Sequence, residues 1–384
     1  MDFSFKREQE ILRRTVREFA ENEIAPRVDY FDEPGEFPFE TAKKMADLGL
    51  IGMTVPKEYG GSAMGHLARM IATEELARVY TAWGSHHRGF EIIPYLISTY
   101  GSDQQKEKYL RKLCKGELFS QLAITEQIGG SDPLGIQTTA KLERDEYVIN
   151  GRKVFATRGE ISDLIGVTAK TGEKSISTFL MEKGFPGFKA GRRERLISTM
   201  SRTMPINELI FDNCRVPREN MVGVEGKGLG PVLGAVGAIG RTGGAALCLG
   251  TSIGAFEDVL KYAKERVVAG RALSSIESIR FRLGDMAMRI DIGKLLNYKT
   301  GWLLDQRKHP REITKETASC KLYNSELAVD VILKAIEIFG GYGTSADFPI
   351  IRRMKSALDA IAAAGSNNIM RLMIANATVG ESVA

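Results

Sequence analysis

What most limits how this chain can fold is a hydrophobic period that changes twice along 384 residues. Near the N-terminus Ile11, Leu12, Val16, Phe19, Ala20 and Ile24 recur at three and four, with charges between them. That is the pattern of a helix with one apolar face. FPFETAKKMADLGLIGM repeats it, Thr54-Val55-Pro56 breaks it, and LARMIATEELARV and DQQKEKYLRKL resume it. From about Glu117 the runs become short and β-like (LFSQLAIT, EYVINGRKVFAT, LIGVTAK, STFLMEK, NELIFDNCRV), punctuated by Gly, Asp and Asn. Within them Asn150-Gly151 reads as a hairpin turn. After GVEGKGLG the helical period returns in AFEDVLKYAKERV, RFRLGDMAMRIDIGKLL and CKLYNSELAVDVILKAIEIF. The expected fold class is therefore α+β: a helical domain over 1–115, a central antiparallel β domain over 116–228, and a helical bundle over 229–384.

Composition narrows the function classes. A chain that is 43% apolar can bury a large core. Cys114, Cys214, Cys248 and Cys320 lie far apart, with neither CxxC spacing nor a nearby histidine pair, so no metal site is expected. The formal charge of +5 is spread along the chain, and Arg192-Arg193 and Arg352-Arg353 are short clusters without interleaved aromatics. Nucleic acid is not an expected partner; an anionic small ligand is compatible. The start, MDFSFKREQE, is charged where a signal peptide needs apolar residues, and no uncharged apolar run reaches eighteen. The expectation is a cytoplasmic protein with no membrane partner.

Several strings carry more. AITEQIGGSD (123–132), NGRKVFATRG, INELIFDNCRVPRENMVGVEGKG, YAKERVVAGRAL and IFGGYG occur in that order. In order and spacing the chain resembles the FAD-dependent acyl-CoA dehydrogenase family over essentially its whole length. The resemblance implies FAD between the β domain and the C-terminal helices, with Ile124 and Thr125 facing the flavin and Phe155 and Thr157 packed on its ring. It puts Arg266 at the pyrophosphate and Glu337, Gly340 and Gly341 at the adenine end, partly serving a neighbouring subunit. It also implies an acyl-CoA thioester as substrate, an electron-transfer flavoprotein or similar acceptor, and a homotetramer or heteromer.

The side chains suit those tasks. Threonine hydroxyls can donate to ring heteroatoms, Phe155 offers a flat apolar face, and guanidinium binds phosphate bidentately. Ser131 and the amides around Gly129 and Gly130 can hold a phosphate or the thioester arm. The bland alternatives are strand threonines, a core phenylalanine and helix-surface arginines in i,i+4 pairs.

The departure lies near the C-terminus. Oxidising an acyl thioester needs a base for the α-proton, and the family usually places a Glu, preceded by Tyr, directly before a Gly. Here those positions are Ala363 and Ala364, before Gly365. The other family location, beside the Arg that Arg241 matches, holds Gly240. Glu277 and Glu337 stand where Gln is typical, and a carboxylate there would repel a pyrophosphate unless paired, with Arg266 or Lys355 as expected partners.

Three readings follow. The base has moved to AWGSHHRGFEIIPYL, where Glu91 and Arg88 are the candidate catalytic residues and His86 or His87 a second source of proton exchange. Alternatively, the chemistry needs no α-proton base, as in elimination, decarboxylation or oxygenation, with Arg88 binding an anionic substituent. Or the chain is a non-catalytic partner subunit of a heteromeric dehydrogenase. The expected substrate-binding set is Ser131, His86, Arg241, Ala364 and Gly365; the two alanines leave room for a bulky or cyclic acyl group.

Overall fold

The computed structural model describes residues 4–197, 202–203, 205–306 and 312–380. Its helices are α1 (Arg7–Phe19), α2 (Val28–Asp32), α3 (Phe39–Asp47), α4 (Gly65–Val79), α5 (Thr81–Tyr100), α6 (Asp103–Gln105), α7 (Arg111–Cys114), α8 (Leu229–Ala235), α9 (Thr242–Glu265), α10 (Glu277–Asp305), α11 (Thr314–Phe339), α12 (Pro349–Ala362) and α13 (Asn367–Val379). The strands lie between α7 and α10. They are β1 (Ser120–Ala123), β2 (Thr139–Glu143), β3 (Glu146–Thr157), β4 (Leu164–Gly172), β5 (Ser175–Glu182), β6 (Phe188–Arg193), β7 (Ile206–Pro217), β8 (Met221–Val222), β9 (Val267–Val268) and β10 (Arg271–Ala272). The order is helical, then β, then helical.

The chain folds as two compact units. The first comprises Met1–Val28, His66–His86 and Arg241–Ala384. Its centre is α9, whose Leu249, Ala255 and Val259 pack with Met286 of α10, Val331 and Ala335 of α11 and Ala357 of α12. Two glycines let α4 lie directly on α9, since a side chain at Gly250 would strike the carbonyl of Glu74 and one at Gly254 that of Arg78. Leu229–Glu265 is long and apolar enough to cross a bilayer, but 83% of its most apolar window is buried inside the protein. Its apolarity is therefore used in the core.

The second unit comprises Asp29–Gly65 and His87–Gly240. Its sheet runs β6-β7-β3-β2-β4-β5-β8, with β1 added on β4. Most neighbours are antiparallel, but β1 and β2 each meet β4 in parallel, so the sheet is mixed. The C-terminal half of α5 lays Ile93, Leu96 and Ile97 against Leu164 and Leu180 of the sheet. Gly166 makes room for Ile93.

One local expectation is corrected. Asn150-Gly151 is not a turn; β3 runs through it with a register shift between Ile149 and Gly151. The tight turn is Arg144-Asp145, between the paired Glu143 and Glu146, with Arg144 at φ +57°. Gly151 is needed because Thr138 packs onto its Cα, 2.7 Å from where a Cβ would stand.

Candidate active site

The residues of the second unit that the resemblance assigns to the flavin are arranged by a bulge in β3. Pairing with β7 slips between Lys153 and Ala156, which leaves Val154 and Phe155 out of register. Phe155 takes a left-handed φ of +55°. Ala156 is thereby turned into the core and the Phe155 ring outward, 53% exposed. A left-handed non-glycine residue costs roughly 1–2 kcal/mol, and such outliers collect where a chain meets a ligand.

The bulge also positions Thr125. The Val154 N–H donates to the Thr125 carbonyl at 2.9 Å, and the chain then folds back so that the Gly129 N–H reaches the Glu126 carbonyl at 3.0 Å. A Cβ on Gly130 would lie 3.0 Å from Thr125 Oγ1, while the space around Gly129 is open. Ile124 and Thr125 are half-buried, Ser131 is exposed at the turn, and Thr157 is half-buried near the end of β3 opposite Ile206. A half-uncovered aromatic face, two accessible threonines and an open glycine turn within one short region fit a flavin ring and its attached groups.

On α5, Glu91 is fully buried. Its carboxylate accepts from the Met53 N–H at 3.2 and 3.1 Å and from the Gly52 N–H. In this geometry Glu91 holds the 52–53 loop against α5. Burial, with the nearby Glu91 charge, pushes the Cys114 thiol up to about 12.

Arg88 is half-buried, and His86 and His87 are both fully buried, His86 edge-on to Trp83 with ring centroids 5.4 Å apart. Sequence reasoning missed Arg158. It is buried at φ +68°, against Gly89 and 4.9 Å from the centre of the Phe90 ring. Burial, with the Arg88 charge, pushes its guanidinium down to about 9.

In the first unit the strings YAKERVVAGRAL and IFGGYG meet. α9 is capped at its C-terminus by Arg266, which lies 5.7 Å from the ring centre of Tyr342. Tyr342 follows Gly340 and Gly341, which have open surroundings, with Gly340 at φ +64°. The stack of Tyr262 on Phe339, centroids 4.2 Å apart, fixes that approach. Glu337 is paired by Arg282 of α10, not by Arg266 or Lys355. Sequence reasoning missed this because α10 and α11 meet only in the fold.

Arg241 is half-buried, its Nε without an acceptor among the described residues, and burial pushes it down to about 10. The turn after α12 carries Ala363, then Ala364 at φ +57° and Gly365 at φ +98°. Buried Lys321 of α11 holds it by donating to the Ile361 carbonyl at 3.0 Å and Asn367 Oδ1 at 2.7 Å. Among the described residues no group of three His, Cys, Asp or Glu can hold a metal ion.

Three family models match in succession: the acyl-CoA dehydrogenase N-terminal domain over residues 6–117, the middle domain over 121–214 and the C-terminal domain over 226–379. The chain belongs to the acyl-CoA dehydrogenase family. It is an oxidoreductase of the class that acts on CH–CH groups. It is 39% identical to the short-chain specific acyl-CoA dehydrogenase of Clostridium acetobutylicum, with 97% of this chain and 98% of that one covered.

Among solved structures it is similar to the butyryl-CoA dehydrogenase of Megasphaera elsdenii, at a TM-score of 0.94 and 32% identity, covering 99% of this chain and 100% of that one. It matches equally well a chain in the structure of the electron transferring flavoprotein of Acidaminococcus fermentans, at 0.94 and 34%, covering 99% and 100%.

Proposed function

We propose that this acyl-CoA dehydrogenase binds FAD and oxidises the Cα–Cβ bond of an acyl-CoA thioester, without a carboxylate at the turn where its family usually carries the base. The observation that carries the reading is the outward Phe155 on its left-handed bulge beside Thr125, in a chain that matches the family over its whole length.

Bound FAD would supply the acceptor for the β-hydride, and the α-proton passes to solvent water or to a base outside the turn at residue 364. The chain's own residues bind and orient. Thr125 and Thr157 offer hydroxyls to the ring, Phe155 covers its face, and Ser131 with the Gly129–Gly130 amides takes an anionic group or the thioester arm. Arg266 offers a guanidinium to the pyrophosphate, and Glu337, already neutralised by Arg282, does not oppose it. Arg241, a half-buried cation, attracts the polarised end of the substrate. Ala363 and Ala364 leave space for a bulky or cyclic acyl group.

A second reading is favoured by the Arg88–Arg158 neighbourhood. Buried Arg158, whose charge is disfavoured by burial and by the Arg88 charge, suits a substrate with an anionic substituent on the acyl group. Chemistry that expels such a group needs no carboxylate at residue 364.

The surface of α10 supports self-association. Phe281, Met288, Ile292, Leu295 and Trp302 are spaced at seven, four, three and seven, and all are exposed. An apolar seam of this length on a helix calls for a second apolar face, and we propose a homotetramer passing electrons to an electron-transfer flavoprotein or similar acceptor. The experiment for the main reading is flavin content of the purified protein, followed by anaerobic bleaching with a panel of acyl-CoAs. One flavin per chain and bleaching by an unsubstituted acyl-CoA are expected. Colourless protein, or bleaching by none of the panel, would refute it.

A further inference from the structure

Inside the second unit, directly behind the residues read as flavin-facing, lies an ion pair with no role in the binding scheme above. Lys153, the last residue of β3 in register before the bulge, is fully buried. Its ammonium donates to Glu126 Oε1 at 2.7 Å, to the Ile124 carbonyl at 3.0 Å and to Thr168 Oγ1 at 3.3 Å. Three donors thus meet three acceptors. Glu126, 5% exposed, also accepts the N–H groups of Gln137 at 2.5 Å and Thr138 at 3.1 Å. Burial would raise its carboxyl, but the bonds from Lys153, Thr138 and Gln137 outweigh that and hold it below the usual range. Burial pushes Lys153 down to about 8.

The arrangement has a consequence for geometry. Lys153 grips the chain at residues 124 and 126, on either side of Thr125, and its own strand continues directly into Val154 and Phe155. The Val154 N–H closes the ring of contacts on the Thr125 carbonyl. One side chain therefore ties together the two stretches that carry the Thr125 hydroxyl and the Phe155 ring. As a source of stability such a pair is a poor choice, because desolvating both ions offsets most of their attraction and an apolar replacement of similar volume is often neutral. As a way of fixing two segments in one geometry it is efficient, since every donor is directional.

We propose that Lys153 and Glu126 are positioning residues that hold Thr125 and Phe155 in the arrangement a flavin ring requires, and so set flavin affinity and reduction potential from behind the binding face. The proposal rests on the FAD-dependent reading above.

The test compares wild type with Lys153→Met and with the double variant Lys153→Met/Glu126→Gln, which removes both charges together. Apoprotein is titrated with FAD by fluorescence, the midpoint potential of the reconstituted protein is measured, and thermal unfolding of the apoprotein is followed in parallel. Both variants are expected to bind FAD at least about tenfold more weakly, the scale on which a small misplacement acts. The double variant is expected to keep a melting temperature near wild type, which a merely structural pair would not combine with weak binding. Its potential is expected to move by about 30 mV, the equivalent of a tenfold difference between affinities for the oxidised and two-electron-reduced cofactor.

Should the double variant fail to fold, Lys153→Arg/Glu126→Asp, which keeps both charges and shifts their reach, is read in the same titration with the same expectation. Wild-type affinity and potential in a folded variant would overturn the positioning role alone. A wild type that takes up no FAD would overturn the FAD reading and this inference with it.

Discussion

The phenol of Tyr298 donates to both oxygens of Glu74, at 2.9 and 3.1 Å, in the interior of the first unit where α10 meets α4. Glu75, the next residue, takes Arg13 at 2.8 Å and Arg17 at 2.9 Å. Both carboxylates are buried and they divide the work: Glu75 is the partner of the arginines, and Glu74 that of the phenol. Burial first, and the neighbouring Glu75 charge second, push Glu74 up to about 7.

That shift fixes the sign of a pH effect. A carboxyl raised in the folded state favours folding fully below its ordinary value near 4.5, and the advantage is lost as pH rises through about 7. The lost term is on the order of 3 kcal/mol. Glu74→Gln, neutral at every pH, is expected to remove this component. Its melting temperature relative to wild type should climb between about pH 5 and about pH 8. Parallel melting curves across that window would show that Glu74 does not titrate there.

Glu91→Gln separates an anchor from a base. The variant loses the charge that accepts the Gly52 and Met53 N–H groups and turns an amide nitrogen toward one of them. A loss of about 1–3 kcal/mol is expected from the impaired buried hydrogen bonds, with a turnover number within tenfold of wild type. A turnover number lower by about a hundredfold in a variant with unchanged unfolding would instead identify Glu91 as the proton acceptor.

How far these features could be read beforehand depended on the range of the interactions. The helices α9, α10 and α11 were legible because their apolar residues repeat within a few turns. The strings around Thr125, Phe155, Thr157 and Arg266 were legible because the resemblance is local in sequence. What was not legible is long-range or strained. No propensity asks for Phe155 at φ +55°, and the partners of Glu91 lie about forty residues away, in a loop with no carboxylate-binding signature. Asn150-Gly151 misled because its chemistry suits a turn, while its true constraint, contact with Thr138, comes from outside the pair. Lys153 carried a usable signal: counting in twos along the strand from buried Tyr147 and Ile149 reaches it, so a charge falls on an inward position that needs a partner.

Phe155→Gly tests the strained bulge through the apoprotein. Glycine takes the left-handed conformation without penalty, so apoprotein stability is expected to rise by up to about 1 kcal/mol. FAD affinity should fall, because the covering ring is gone. Less stable apoprotein with unchanged FAD binding would mean that the exposed ring packs on the protein itself.

Leu295→Asp addresses the α10 seam. A carboxylate in the middle of the row from Phe281 to Trp302 should leave the folded chain intact, since Leu295 is exposed. The same charge buried against a second copy is costly. Sedimentation is expected to show dissociation to smaller species at micromolar concentration. An unchanged sedimentation coefficient would locate self-association elsewhere.

Ala364→Glu asks whether the missing group is the only thing the C-terminal turn lacks. The backbone there is held independently of residue 364, by Lys321 on Ile361 and Asn367 and by the left-handed Gly365 that follows. Ala364 already sits at φ +57°, so glutamate meets no conformational demand that alanine does not. A positioned general base contributes about 100-fold or more. If the chain oxidises thioesters and is limited by removal of the α-proton, the variant is expected to bleach its flavin with an unsubstituted acyl-CoA at least tenfold faster. Bulky substrates should bind less well, because the space above residue 364 is now filled. Faster bleaching would identify the absent carboxylate as what slows wild type. An unchanged or lower rate with every acyl-CoA tried would mean that the reaction does not await a base at this turn, and would favour expulsion of an anionic group beside Arg88 and Arg158.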